Sequence, residues 1–149
     1  MKKMFLLIYV AFFGLISCSD DTDPVIIDPT KPSGQLTVLR SGNFIDQNNA
    51  GSMGTASLGT DSEGVEFLQF SSSFNTALAT GTVTVFLSTS DTFMADPANG
   101  NPNLLPLGPV RNAGENFFRI PQGSSTSNFT HVILWCGSVG VPFGNANLQ

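Results

Sequence analysis

A lone thiol beside an indole is the sharpest chemical feature of the chain. Cys136 directly follows Trp135 at the end of the apolar run Val132-Ile133-Leu134-Trp135-Cys136, and His131 opens that run. A thiol can act as a nucleophile or soft metal ligand, and an imidazole can ligate a metal or move a proton. The run is rich in β-branched and aromatic residues and contains no breaker, so it reads as a strand buried on both faces. Alternation then puts His131, Ile133 and Trp135 on one face, and Val132, Leu134 and Cys136 on the other. Unless a bulge near Gly137 re-phases the strand, the thiol and the imidazole point apart. They then neither share a metal nor pair as nucleophile and base.

Two readings of Cys136 follow. As a residue, it is a small apolar side chain packed in a core, since nothing cationic adjoins it in sequence to favour a thiolate. As a functional group, it is a thiol to which Gly137 gives partial access, by a bulge or a close backbone approach. Other groups offer less. Asp91, Asp96, Asn99, Asn101 and Asn103 could give oxygen ligands to calcium, but their spacing departs from the usual loop and reads as a turn-rich connection. Met53 and Met94 read as loop packing, and His131 as a structural or rim residue. Asp61, Glu63 and Glu66 are near in sequence without a cleft to make them an acid–base pair. Asn128-Phe129-Thr130 fits a glycosylation sequon.

The segments that must present these groups divide the chain into three. Residues 1–17 form an export leader: Lys2 and Lys3 precede an apolar run from Met4 to Ile16 that is too short to span a bilayer as an ordinary helix. Leu15-Ile16-Ser17-Cys18 resembles the bacterial lipobox, in which the Cys is acylated and the preceding chain removed. Acyl chains contribute about 0.8 kcal/mol per buried methylene, so Cys18 would anchor the mature chain stably in a membrane. If Cys18 is acylated, Cys136 has no intramolecular disulfide partner. Residues 18–34 read as an extended, mobile tether, acidic at Asp20, Asp21 and Asp23 and proline-rich after Asp28. Ser19-Asp20-Asp21 also resembles an acidic surface-export signal. The expected location is therefore the cell envelope, lipid-anchored at the outer membrane, with the domain at the cell surface or, if Ser19-Asp20-Asp21 is only a solvated linker, in the periplasm.

Residues 35–149 suit one domain with a single core. Thirteen of the fifteen glycines and six of the nine prolines fall here and punctuate short apolar runs, and no stretch keeps a helical repeat. The expectation is an all-β fold, a single antiparallel β-sandwich or barrel-like domain of about seven to nine short strands. Candidate strands cover residues 35–40, 54–60, 65–71, 82–88, 116–120, 129–135 and 139–143. Ten of the thirteen phenylalanines lie in this domain and supply the bulk of its core. Removing Lys2 and Lys3 with the leader leaves four basic against eleven acidic residues, a formal charge of −7. That balance argues against nucleic acid as a partner. No glycine pattern fits a phosphate cradle.

The ending Val132-Ile133-Leu134-Trp135-Cys136, followed by Val141-Pro142-Phe143-Gly144 and Ala146-Asn147-Leu148, resembles the DM-thirteen electron-transfer domain family. Leu107-Gly108-Pro109-Val110 and Gly114 to Pro121 resemble its Gly-x-x-x-Tyr-x-Ile-Pro strand, with Phe118 in place of the Tyr. Gly42-Asn43-Phe44 resembles its opening, although the His usual soon afterwards is replaced by Asn48 and Asn49. Thr82 to Ser88 resembles its apolar strand ending in Leu-Ser. The resemblance implies a redox role for Cys136, as a bare thiol or as ligand of a haem, with Trp135 supporting it and an envelope cytochrome or other redox carrier as partner. This makes the chain an electron-transfer or binding module rather than a catalyst. The competing reading is a non-catalytic surface β-domain for ligand binding or adhesion, with Cys136 as buried core.

The lipobox reading has a direct test. Cys18→Ser should leave an unprocessed or soluble precursor that no longer partitions into the detergent phase. Partitioning equal to that of the wild type would refute acylation at Cys18.

Overall fold

The computed structural model describes residues 28–95 and 101–149. The leader, Cys18, Ser19 to Asp21, Asp96 and Asn99 lie outside the described residues. Eight strands are present: β1 Thr37–Asp46, β2 Thr55–Thr60, β3 Glu66–Phe70, β4 Val83–Ser88, β5 Leu104–Pro109, β6 Asn116–Arg119, β7 His131–Cys136 and β8 Val141–Asn147. They form one sheet in the order β5-β4-β7-β8-β1-β2-β3-β6, with every neighbouring pair antiparallel. Its free edges, β5 and β6, approach each other, so the sheet curls into a nearly closed barrel. No helix occurs among the described residues. The all-β, barrel-like expectation holds.

β1 joins the two halves of the sheet. Its opening stretch, Thr37 to Asn43, pairs with β2, and its closing stretch, Phe44 to Asp46, pairs with β8. The strand expected over residues 35–40 thus runs on to Asp46. Gly42 is a point of close approach: a Cβ there would lie 1.9 Å from the Asn147 carbonyl oxygen. Glycine is the only residue that fits. β8 likewise runs on past Phe143, through Gly144, where a Cβ would lie 2.9 Å from Ser52 Cβ.

β5 was not expected as a strand at all. Pro106 and Pro109 lack N–H groups, and a strand containing them is tolerated only at a sheet edge. β5 sits at such an edge, paired with β4 alone.

Alternation sends one face of each strand inward. Phe44 meets Phe70 edge-to-face at 4.9 Å, Phe70 lies 4.5 Å from Phe74, and Phe118 lies 5.0 Å from Phe70. Pairs of this kind contribute about 0.5–1.5 kcal/mol each beyond their burial. Val83, Val85, Leu87, Val132, Leu134 and Cys136 complete the same core. Arg40 ties the long β6–β7 connection to β1, its Nη1 donating to the Phe129 carbonyl at 2.6 Å and Nη2 to the Thr126 carbonyl at 2.8 Å.

The ordered network begins before Gln35. Asp61 Oδ2 accepts the Ser33 amide at 3.0 Å, while Asp61 Oδ1 accepts the amides of Glu63 and Val65 at 2.9 Å. The Ser33 carbonyl in turn accepts the Ser62 amide and hydroxyl. Ser33 is thus fastened to the β2–β3 turn, where the sequence reading had a mobile tether.

Two outcomes follow from these contacts. Gly42→Ala should lower stability by about 3 kcal/mol or prevent folding, as severe overpacking does. Gly137→Ala, with open space around that position, should change stability little, and urea titration of both variants checks the contrast. The second outcome concerns acid. The Ser33 amide, with those of Val65 and Glu63 and the Arg119 charge, holds the Asp61 carboxyl below its ordinary value of 3.8. Stability from a depressed carboxyl is present above the ordinary value and lost as pH falls through the lowered one. The protection of the Ser33 amide from exchange, relative to an unstructured amide at the same pH, should therefore hold at pH 5 and fall on acidification below 3.8. Asp61→Asn should abolish that pH dependence.

Candidate functional site

β7 is flanked by β4 and β8, which makes it an interior strand. Cys136 is opposite Val83 on β4 and Val141 on β8, and its side chain is fully buried, at 0% exposure. Val132 and Leu134 share its inward face, as the alternation requires. The opposite face carries His131, Ile133 and Trp135. A bulge does occur beside this strand, but in β8: Leu134 pairs with Gly144 and Trp135 with Pro142, leaving Phe143 as the extra residue. The partner strand absorbs the irregularity, so β7 keeps its phase.

Gly81 is a close neighbour of the sulfur. A Cβ on Gly81 would stand 3.6 Å from Cys136 Sγ and 2.3 Å from Ser138 Oγ. The φ of Gly81, 148°, also lies in the region that favours glycine. The lack of a side chain at Gly81 therefore leaves room for Ser138 of the β7–β8 turn. The expected partial access at Gly137 does not hold, because the side chain of Cys136 is fully buried and the bulge lies in the partner strand, where it leaves the phase of β7 unchanged. A haem bound through Cys136 needs the sulfur facing a space wide enough for the macrocycle. Fully buried in the core, this sulfur does not fit one.

Trp135 has the opposite situation. Its indole is half-buried on the outer face and stacks on Phe93, with centroids 3.9 Å apart and planes at 11°. Phe93 in turn meets Phe86 of β4 edge-on at 5.2 Å. Phe86 is opposite Ile133 in the ladder, so the aromatic group covers the outer face of β7 and β4. Sequence reading missed Phe86 and Phe93 as neighbours of Trp135. The alternation of Phe86 with Val85 and Leu87 was the available signal, whereas Phe93 arrives from a loop.

The remaining candidates are scattered. His131 lies five residues from Cys136, roughly 16 Å along the strand, and its Nδ1 is 2.8 Å from the Thr130 hydroxyl. Met53 is 54% exposed and Met94 42%, each in a separate loop. Asn101 and Asn103 spend their side-chain oxygens on the Asn103 amide and the Thr89 hydroxyl, and Asp91 accepts the Thr92 hydroxyl. Among the described residues no group of three or more His, Cys, Asp or Glu side chains could hold a metal ion. Asp61 is occupied by backbone amides and Glu66 by the Thr126 hydroxyl, so the three carboxylates make no acid–base pair.

Comparison with known proteins identifies the fold's family. Residues 43–148 match the family model described as Electron transfer DM13. No curated protein and no solved structure matches the chain. The match covers well over half of the sequence and takes in β2 to β8, Gly81, Trp135 and Cys136. The chain belongs to the DM13 electron-transfer domain family.

Proposed function

We propose that the chain is a lipid-anchored envelope protein, held at Cys18, whose domain passes electrons by way of Cys136 and Trp135. The observation that carries this reading is the pairing of a fully buried thiol with an adjoining half-buried indole. Bond exchange at sulfur needs an attacking group to reach it, and this side chain is fully buried. An electron needs no such access. It can pass between Cys136 and Trp135 through the peptide that joins them, and leave or enter at the indole stacked on Phe93. Oxidation takes one electron from Cys136 by way of Trp135 to the oxidised carrier and the thiol proton to solvent at the exposed β7–β8 turn, leaving a thiyl radical, and reduction returns both. The partner is a one-electron carrier of the envelope, of the cytochrome class.

A second reading is favoured by the same burial: Cys136 as core, in a surface β-domain for binding or adhesion. Sγ lies among Val83, Val132 and Leu134 as any core side chain would. Voltammetry of the purified protein separates the two readings. Electron transfer predicts a reversible wave that Cys136→Ala abolishes and Trp135→Phe slows, while the native thiol resists labelling in both the wild type and Trp135→Phe. Cys136→Ala should cost about 1 kcal/mol of stability, an ordinary core loss. A wave unchanged in Cys136→Ala, or no wave in the wild type, would reject the electron-transfer role and leave the core reading.

A further inference from the structure

The barrel is open along one seam, between β5 and β6. Pro106 and Pro109 cannot donate to a ladder there, and β6 is only four residues long. The Ile120 amide donates to the Glu66 carbonyl at 3.0 Å, and Phe118 and Asn116 continue that alternation against Leu68 and Phe70 of β3. The amides of Phe117 and Arg119 are therefore turned to the open side. A cleft of about 420 Å³ fills the seam, its lining including Pro29, Leu107, Phe117, Phe118, Arg111 and Arg119. Its size falls within the usual range for small-molecule sites.

The charge distribution is as informative as the shape. Outside the leader, the chain has four basic residues against eleven acidic ones. Arg40 is committed to two carbonyls of the β6–β7 connection. The other three, Lys31, Arg111 and Arg119, all line this cleft or the smaller one that continues it. Glu115 at the margin has its Oε1 engaged by the Gln69 amide. A strongly acidic chain thus places at the open seam of its sheet, over an apolar floor, three cations that make no side-chain hydrogen bond or ion pair among the described residues, although Lys31 and Arg119 act at longer range on Asp28 and Asp61. Guanidinium groups pair with carboxylate, sulfonate or phosphate and also stack on planar rings.

We propose that the β5/β6 seam binds a small molecule with a planar apolar body and an anionic group. Arg111 and Arg119 hold the anion, with the Phe117 and Arg119 amides as further donors, and Leu107 and Phe117 pack on the body. This site is separate from Cys136 and does not rest on the electron-transfer reading. The probe is 2-naphthoate, titrated calorimetrically into the full chain in a non-ionic detergent, with a micelle blank. Its neutral counterpart is 2-naphthol, and acetate supplies the anion alone. The expected result is saturable one-to-one binding of 2-naphthoate, much weaker binding of both comparison compounds, and weakening at raised salt. Arg111→Gln and Arg119→Gln should each reduce affinity by about tenfold or more, as loss of a charge-assisted hydrogen bond does. Both side chains are exposed, so thermal unfolding should stay close to that of the wild type and mark any loss as specific. Equal binding of 2-naphthol, unchanged affinity in both variants, or no saturable binding of 2-naphthoate would overturn the proposal.

Discussion

The backbone contact between Gly42 and Asn147 is the constraint on which the closure of the sheet depends. On one side of it stand β5, β4, β7 and β8, and on the other β2, β3 and β6, with β1 shared between them. A side chain at position 42 would push the Asn147 carbonyl away. Without one, Ser41 and Gln149 exchange both backbone hydrogen bonds at 3.0 Å, and the Leu148 amide reaches the Thr130 carbonyl at 2.8 Å. Two four-stranded halves become one curled sheet, and its interior is the phenylalanine cluster that β1, β3 and β6 all supply. The position of β7 as an interior strand, and with it the burial of Cys136, is a consequence of that closure.

The burial of the sulfur and the partial exposure of the indole have a common cause. Consecutive residues of a strand face opposite ways, so once Val132 and Leu134 are committed to the core, Cys136 must follow them and Trp135 cannot. The pair thus spans the sheet from inside to outside within one peptide unit. In a β-structure no shorter connection between core and surface exists. Phe93 and Phe86 then cover the outer face, so the indole meets an aromatic surface as well as water.

This phase was legible in the sequence because Val132 to Cys136 is a simple apolar run whose meaning depends on local geometry alone. The all-β class was equally legible, from the spacing of turn residues. Where reading failed, a long-range contact had overridden a local signal. Gly42 and Gly144 lie beyond the expected strand ends at Arg40 and Phe143 but are strand residues that let another segment come close, and the segment that explains each of them is distant in sequence. β5 was hidden by two prolines whose acceptability depends on having no neighbour on one side, a fact of topology. The glycine beside the sulfur was missed for the same reason: Gly81 is far from Cys136 in sequence, while Gly137 is next to it. Ser33 carried no signal of its attachment, since the acceptor is Asp61 in a turn whose Asp-Ser-Glu-Gly reads only as a turn.

The place of β1 in the strand order also decides how the domain bears force. A pull applied through the chain at Asp28 meets the Ser33–Asp61 fastening first and then β1. That strand is not at an edge, where hydrogen bonds would break in succession like the teeth of a zip. It lies between β2 and β8, so tension along it loads two ladders in shear, many bonds together. The weak line of the molecule, the β5/β6 seam, is at the far end of the strand order from the loaded strand. A domain strung from its N-terminal side is therefore gripped where it resists extraction most, and its most deformable border is left slack.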